Sequence, residues 1–136
     1  MDNTNYINAE IYIREEDINE DIRIINSFES AKKENEWEDE EGDYKLENEK
    51  EINSCEIAIN GKLIPFCYCY KFNQKGKYNI KYSFSNKLIN INYMFSRCLC
   101  LTNIDLSNFN TQNVKLKIGM FSECSSLIKI IQKYIN

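Results

Sequence analysis

Two Cys-x-Cys pairs, Cys67-Tyr-Cys69 and Cys98-Leu-Cys100, are the residues best suited by type to chemistry, because four thiolates could hold a zinc ion. Their spacing argues against that use. Close ligands of a structural zinc usually sit about two to four residues apart on a turn, and Cys67 and Cys69 fall inside an alternating run that reads as the middle of a strand. The chain contains no histidine, which removes the commonest acid-base group, the Cys-His nucleophile and the usual zinc ligand together. Its four glycines are scattered and form no phosphate-cradling G-x-x-x-x-G-K loop. Asp39, Glu40, Glu41 and Asp43 lie in one acidic run but lack the alternating ligands and closing glutamate of a calcium-binding helix-loop-helix. The expectation is a protein with no cofactor, no metal and no enzymatic activity.

The elements that would position these residues must fit in 136 residues, the length of one domain or of a small domain with an appendage. An apolar share of 43% and a charged share of 28% are ordinary for a chain that folds around a core. The opening MDNTNYINAEIYI has no basic start leading into an apolar run, and no stretch approaches the roughly 20 apolar residues that span a bilayer. We therefore expect a cytoplasmic protein without a membrane span, its six cysteines reduced.

Charge is distributed unevenly. Residues 1–56 hold 19 acidic side chains against 6 basic ones, a net of −13, and residues 57–136 hold 2 against 11, a net of +9. A basic half can attract nucleic acid or an acidic partner. Its lysines are spread along the chain, however, and its nearest counter-charge is the acidic half of the same molecule.

Alternation in EIYI (Glu10 to Ile13) and the composition of DIRIINSF (Asp21 to Phe28) predict two strands. A short helix follows around Phe28 to Trp37, then a solvated acidic loop within 34–51. Asn60-Gly61 between two alternating runs is the strongest short signal for a two-residue hairpin turn, since both positions need positive φ. The turn would pair Ile59 with Lys62, Ile57 with Ile64 and Cys55 with Phe66. The same reasoning extends the hairpin to a three-stranded meander with Tyr70 opposite Ile80, Tyr68 opposite Tyr82 and Phe66 opposite Phe84. Lys77, Asn79, Lys81 and Ser83 would face solvent. Because aromatics and lysines occupy opposite faces, the aromatic face reads as core and not as a stacking platform for single-stranded nucleic acid.

Laying the chain on itself at an offset of 26 aligns Met94-Phe95 with Met120-Phe121, Cys98 with Cys124, Leu101 with Leu127 and Ile104 with Ile130. The shared form is M-F-S-x-C-x-x-L-x-x-I, and it gives Cys98 and Cys124 a place where a small apolar residue is wanted. YMFSRCLCLTNIDLSNFNTQNV and MFSECSSL resemble the BspA-like leucine-rich repeat, over about Tyr93 to Ile130. That resemblance implies a curved solenoid in which L-x-x-L-x-L is a strand and Met-Phe-x-x-Cys a short helix, in proteins that bind other proteins. Leu101, Ile104, Leu106 and Phe109 would point inward together with Met94, Phe95 and Cys98. Asn103, Asp105 and Ser107 would project outward, and they are the candidate contact residues.

The second copy departs from the pattern: Gln132 takes the place of Leu106, and Lys117 stands where an apolar residue is preferred. The expected architecture is α+β, an antiparallel β-rich N-terminal domain over 1–88 followed by a short, incomplete leucine-rich repeat solenoid over 89–136. The expected function is a non-enzymatic protein-interaction module with an unidentified protein partner. Self-association is a further expectation, because an incomplete repeat leaves an open end. Two alternatives stand beside it: a truncated fragment of a longer repeat protein with no activity of its own, and nucleic-acid binding through the basic half, with Lys77 and Lys81 as the residues to test.

Overall fold

A computed structural model describes residues 5–132. Strands β1 (Tyr6–Ile13), β2 (Asp21–Arg23), β3 (Glu56–Ile59), β4 (Lys62–Ile64), β5 (Cys69–Lys71), β6 (Gly76–Ser83), β7 (Leu101–Asp105) and β8 (Lys129–Ile131) dominate it. Its two α-helices are short, α1 (Phe28–Glu34) and α2 (Glu49–Asn53). Six strands form a mixed sheet in the order β4-β3-β6-β1-β7-β8, and β2 pairs with β5 in a separate two-stranded ribbon. Among the described residues no helix is long and apolar enough to cross a membrane.

Strict alternation in YINAEIYI explains why β1 is central. Ile7, Ala9, Ile11 and Ile13 are all buried on one face, and the strand is long enough to hydrogen-bond β6 along eight residue pairs and β7 along four. Ile57 and Ile80, with the fully buried Tyr82, continue that face into the neighbouring strands. Ile24, Ile25, Ile52, Phe72, Phe84, Met94 and Phe95 join them in one hydrophobic cluster. Burying a large apolar side chain contributes about 1.5–3 kcal/mol, so this single inner face supplies most of the driving force. The phenol of Tyr82 remains hydrogen-bonded there, donating to the Ile24 carbonyl.

The hairpin at Asn60-Gly61 forms with φ of 49° and 83° and pairs Ile59 with Lys62 and Ile57 with Ile64. The meander expected after it does not form. Strand β4 stops at Ile64, next to Pro65, which has no N–H to give a ladder. Strand β6 instead pairs with β3, placing Tyr82 opposite Ile57 and Ile80 opposite Ile59, while β5 leaves to pair with β2.

The expected fold class is also corrected. Among the described residues no solenoid follows an N-terminal β-domain. Strand β7 lies antiparallel to β1, with Ala9 opposite Ile104, and the Thr102 hydroxyl donates to the Glu10 carbonyl, so the C-terminal segment extends the N-terminal sheet. The Met-Phe-x-x-Cys stretch from Met94 to Cys98 is a series of turns and not a helix. Antiparallel pairing with a strand about 90 residues earlier supplies the cover that a solenoid turn would take from further turns.

The 26-residue offset corresponds to adjacency in the fold. Strand β8 runs parallel to β7 with Ile104 opposite Ile130. The rings of Phe95 and Phe121 stack with centroids 5.9 Å apart and planes 8° apart, and the Ser122 hydroxyl donates to that of Ser96. Backbone conformation repeats as well: Tyr93 and Gly119 have φ of 57° and 60°, and Arg97 and Glu123 have 61° and 59°.

The acidic segment is held by buried asparagines. Asn48 accepts from the Phe28 N–H at 2.9 Å and donates its side-chain amide to the Asn92 carbonyl at 2.8 Å, while Asn90 donates to the Leu46 carbonyl at 3.0 Å. Glu29 accepts from the backbone N–H groups of Asn48 and Glu49, which satisfies the open start of α2.

Candidate functional site

The sheet has one packed face and one bare face. Along β7, Ile104 is buried while Asn103 and Asp105, its neighbours on either side, are half-buried on the opposite, bare face. Asn103 lies between Glu10 on β1 and Lys129 on β8, and Asp105 lies between Asn8 and Ile131. Ser107 follows the strand and turns back. Its backbone N–H and its hydroxyl both donate to Asp105 Oδ1, at 2.9 and 2.6 Å. The Ser107 hydroxyl bond holds the Asp105 carboxyl below the usual carboxylate range. Asn103 and Asp105 thus share a surface, and Ser107 serves the turn that closes β7.

Basic residues on the same face are already engaged. Lys77 pairs with Glu10 at 3.4 Å, and the Lys81 ammonium lies 4.4 Å from the centre of the Tyr6 ring. Glu10 partly offsets the charge of Lys77, whereas Lys81 keeps its full charge over the neutral Tyr6 ring.

Strand β8 is the exposed edge of the sheet beside Asn103 and Asp105. All three of its residues are exposed, with Ile130 and Ile131 each at 40%, and the preceding Ile128 is 82% exposed. Behind the edge, Phe121, Cys124 and Leu127 are only half-buried, whereas Phe95, Cys98 and Leu101, their equivalents 26 residues earlier, are buried. The isoleucines of LIKIIQ are where the sequence shows this edge, as apolar residues on a strand that pairs only with β7 among the described residues.

Burial dominates the surroundings of the cysteines. All six are free thiols. Burial pushes Cys55 up to about 12 and Cys98 well above its ordinary value, and burial followed by the nearby Asp17 charge raises Cys100 to about 11. Burial also raises Cys67 and Cys69. An activated cysteine nucleophile needs the opposite shift. Cys124 donates from its sulfur to the Phe95 carbonyl at 2.9 Å, a contact between the two 26-residue copies. Among the described residues, no three Cys, Asp or Glu side chains converge as metal ligands would.

Fold and surface together define a mixed β-sheet protein with one packed face, one bare polar face and, at β8, an exposed edge rich in isoleucine. Residues 64–135 match the family described as "Mycoplasma protein of unknown function, DUF285". The match takes in more than half of the chain, and the chain belongs to that family. This corrects the resemblance to the BspA-like leucine-rich repeat, because the matching family is a different one and no solenoid accompanies it. Neither the curated proteins nor the solved structures contain a match.

Proposed function

We propose that the protein is a non-enzymatic protein-binding module that takes an extended polypeptide strand along β8. The observation that carries this is the edge itself: a sheet terminus whose three residues are exposed and which, with Ile128, displays three isoleucines. Proteins normally guard such edges with charges, proline or bulges, because unpaired backbone groups there recruit another strand. Lys129 is the only charge on β8. An added strand would gain main-chain hydrogen bonds, and its side chains on the bare face would lie next to Lys129 and Ile131, which would supply selectivity, with Asn103 and Asp105 one strand further in.

The test is capture of binding proteins by the wild type and by an Ile128→Lys, Ile131→Lys double variant. Both substituted residues are exposed, so fold stability should change by no more than about 0.5 kcal/mol each. Loss of a bound protein from the variant alone supports the edge as the site. Equal capture by both removes it.

A second copy of the chain is also a suitable strand donor. In a two-fold antiparallel pair centred on Ile130, Lys129 of each copy faces Ile131 of the other, so no like charges are opposed. Sedimentation of the purified protein tests this reading, with a dimer converted to monomer by the same double variant as the supporting result.

A further inference from the structure

A second surface lies on the acidic side of the molecule, away from β8 in sequence and independent of the reading given above. Helix α1 begins at an N-cap, Ser27, whose side chain accepts from the Ser30 N–H, and its last turn is closed by Asn35, whose amide donates to the Ala31 carbonyl at 2.8 Å. Glu36 then takes a left-handed conformation with φ of 54°, and the Trp37 N–H donates to the Lys32 carbonyl at 3.0 Å. This exit places the chain's only tryptophan against two other rings. Its centroid lies 5.1 Å from that of Tyr93 and 6.3 Å from that of Phe28. Phe28 is buried, but Trp37 remains 40% exposed, and its free surface lines two adjoining cavities of ≈ 370 and ≈ 420 Å³.

The lining of these cavities is acidic. Glu38 and Glu40 border one, and Glu36 and Glu47 border the other. The cations present are Lys32 and Lys33. Lys32 is committed, since its ammonium donates to Asp39 and, at 2.6 Å, to Asp43. Glu36, Glu38 and Glu40 form no ion pair among the described residues. An exposed indole beside unpaired carboxylates is complementary to one kind of group, a cation with an apolar or planar body. Tryptophan is the best aromatic partner for such a cation, and arginine is the side chain that most often supplies it.

We propose that the groove beside Trp37 docks a basic peptide segment, with an arginine side chain laid on the indole and further basic residues facing Glu36, Glu38 and Glu40. Because Trp37 is the only tryptophan, its emission reports the site directly in the full chain. A hexa-arginine peptide should change that emission saturably, and hexa-glutamate should not. Binding should weaken as salt is raised. Glu38→Lys, Glu40→Lys should weaken it at least ten-fold, whereas Glu15→Lys, Glu20→Lys, which makes the same change in net charge elsewhere on the acidic half, should weaken it less than three-fold. Trp37→Leu, followed by anisotropy of a labelled hexa-arginine, should weaken binding by about two- to five-fold, the worth of an exposed cation–π contact. An unresponsive emission overturns the proposal, and so does equal weakening by the two charge reversals, which would mean diffuse attraction to an acidic surface. A salt-sensitive dimer of the wild type that dissociates on Glu38→Lys, Glu40→Lys also overturns it, by making the occupant the basic half of a second copy.

Discussion

The ring of Tyr93 fills the space that a side chain at residue 119 would need. A Cβ built on Gly119 would stand 2.4 Å from Tyr93 Cε1 and 2.7 Å from Cδ1. The two residues are 26 apart and share a left-handed backbone, so the second copy gives up its own side chain to seat the ring of the first. Gly119→Ala must therefore both strain the backbone and displace Tyr93, with a cost of about 1–3 kcal/mol in urea denaturation. Tyr93 supports Trp37, so the emission of the folded variant should shift to the red. Gly61→Ala, where φ is also positive but the space is open, should cost less and leave the emission unchanged.

Asn48 joins three parts of the chain, bonding to Phe28 at the start of α1 and to the carbonyls of Asn90 and Asn92. Replacing it with alanine strands buried donors and acceptors at about 1–3 kcal/mol each. We expect Asn48→Ala to lose about 2–4 kcal/mol in chemical denaturation, against no more than about 0.5 kcal/mol for Glu41→Ala in the exposed part of the same segment. Equal effects would show that the asparagine network does not hold the acidic segment down.

Local signals were legible in the sequence and long-range pairing was not. Asn60-Gly61 demanded positive φ at both positions, and the register of Ile57 with Ile64 followed from the turn alone. The alternating aromatics of residues 64–72 and 78–84 matched each other equally well, yet Tyr82 pairs with Ile57 and Ile7, because β1 and β3 occupy the flanks of β6. No feature near Tyr82 encodes a partner about 75 residues earlier. Helix α2 was hidden because five residues of a charged run bury only Ile52. The outward placement of Asn103 and Asp105 was readable from alternation around Ile104. The bond from Ser107 to Asp105 is a local turn contact, and the Trp37 groove depends on Tyr93, 56 residues away.

Three carboxyls should contribute to the acid limit of stability. Asp17 is held below its ordinary value chiefly by the Arg14 side-chain hydrogen bond, Asp43 by that from Lys32 and Asp105 by that from Ser107. A lowered folded-state value means that the unfolded chain takes up protons first as pH falls. Their contribution is therefore complete above the unfolded value, about pH 4, and is lost as pH drops through the lower folded-state values. Thermal midpoints should be flat from about pH 7 to 5 with respect to these groups and fall below about pH 4. Asp43→Asn and Asp105→Asn should each lower the midpoint at neutral pH and flatten the acid limb.

Thiol accessibility checks the packing of the two-copy segment. At pH 7.5, Cys55 and Cys98 should stay unreactive toward a chromogenic disulfide reagent while the chain is folded, because they are 5% and 1% exposed and their thiols are raised by burial. Denaturation should release all six. Fast native reaction at Cys98 would place the edge formed by the second copy in an open state.

The most direct measurement of the protein-binding edge is site-specific photo-crosslinking in native lysate. A photoreactive side chain at Ile128, which is 82% exposed beside β8, is compared with one at Tyr44, which is 70% exposed in the acidic segment. A binding edge predicts a discrete adduct from position 128, with another protein or a second copy, that is absent from position 44 and competed by unlabelled wild type but not by the Ile128→Lys, Ile131→Lys variant. No discrete adduct from 128, or the same adducts from both positions, would contradict it.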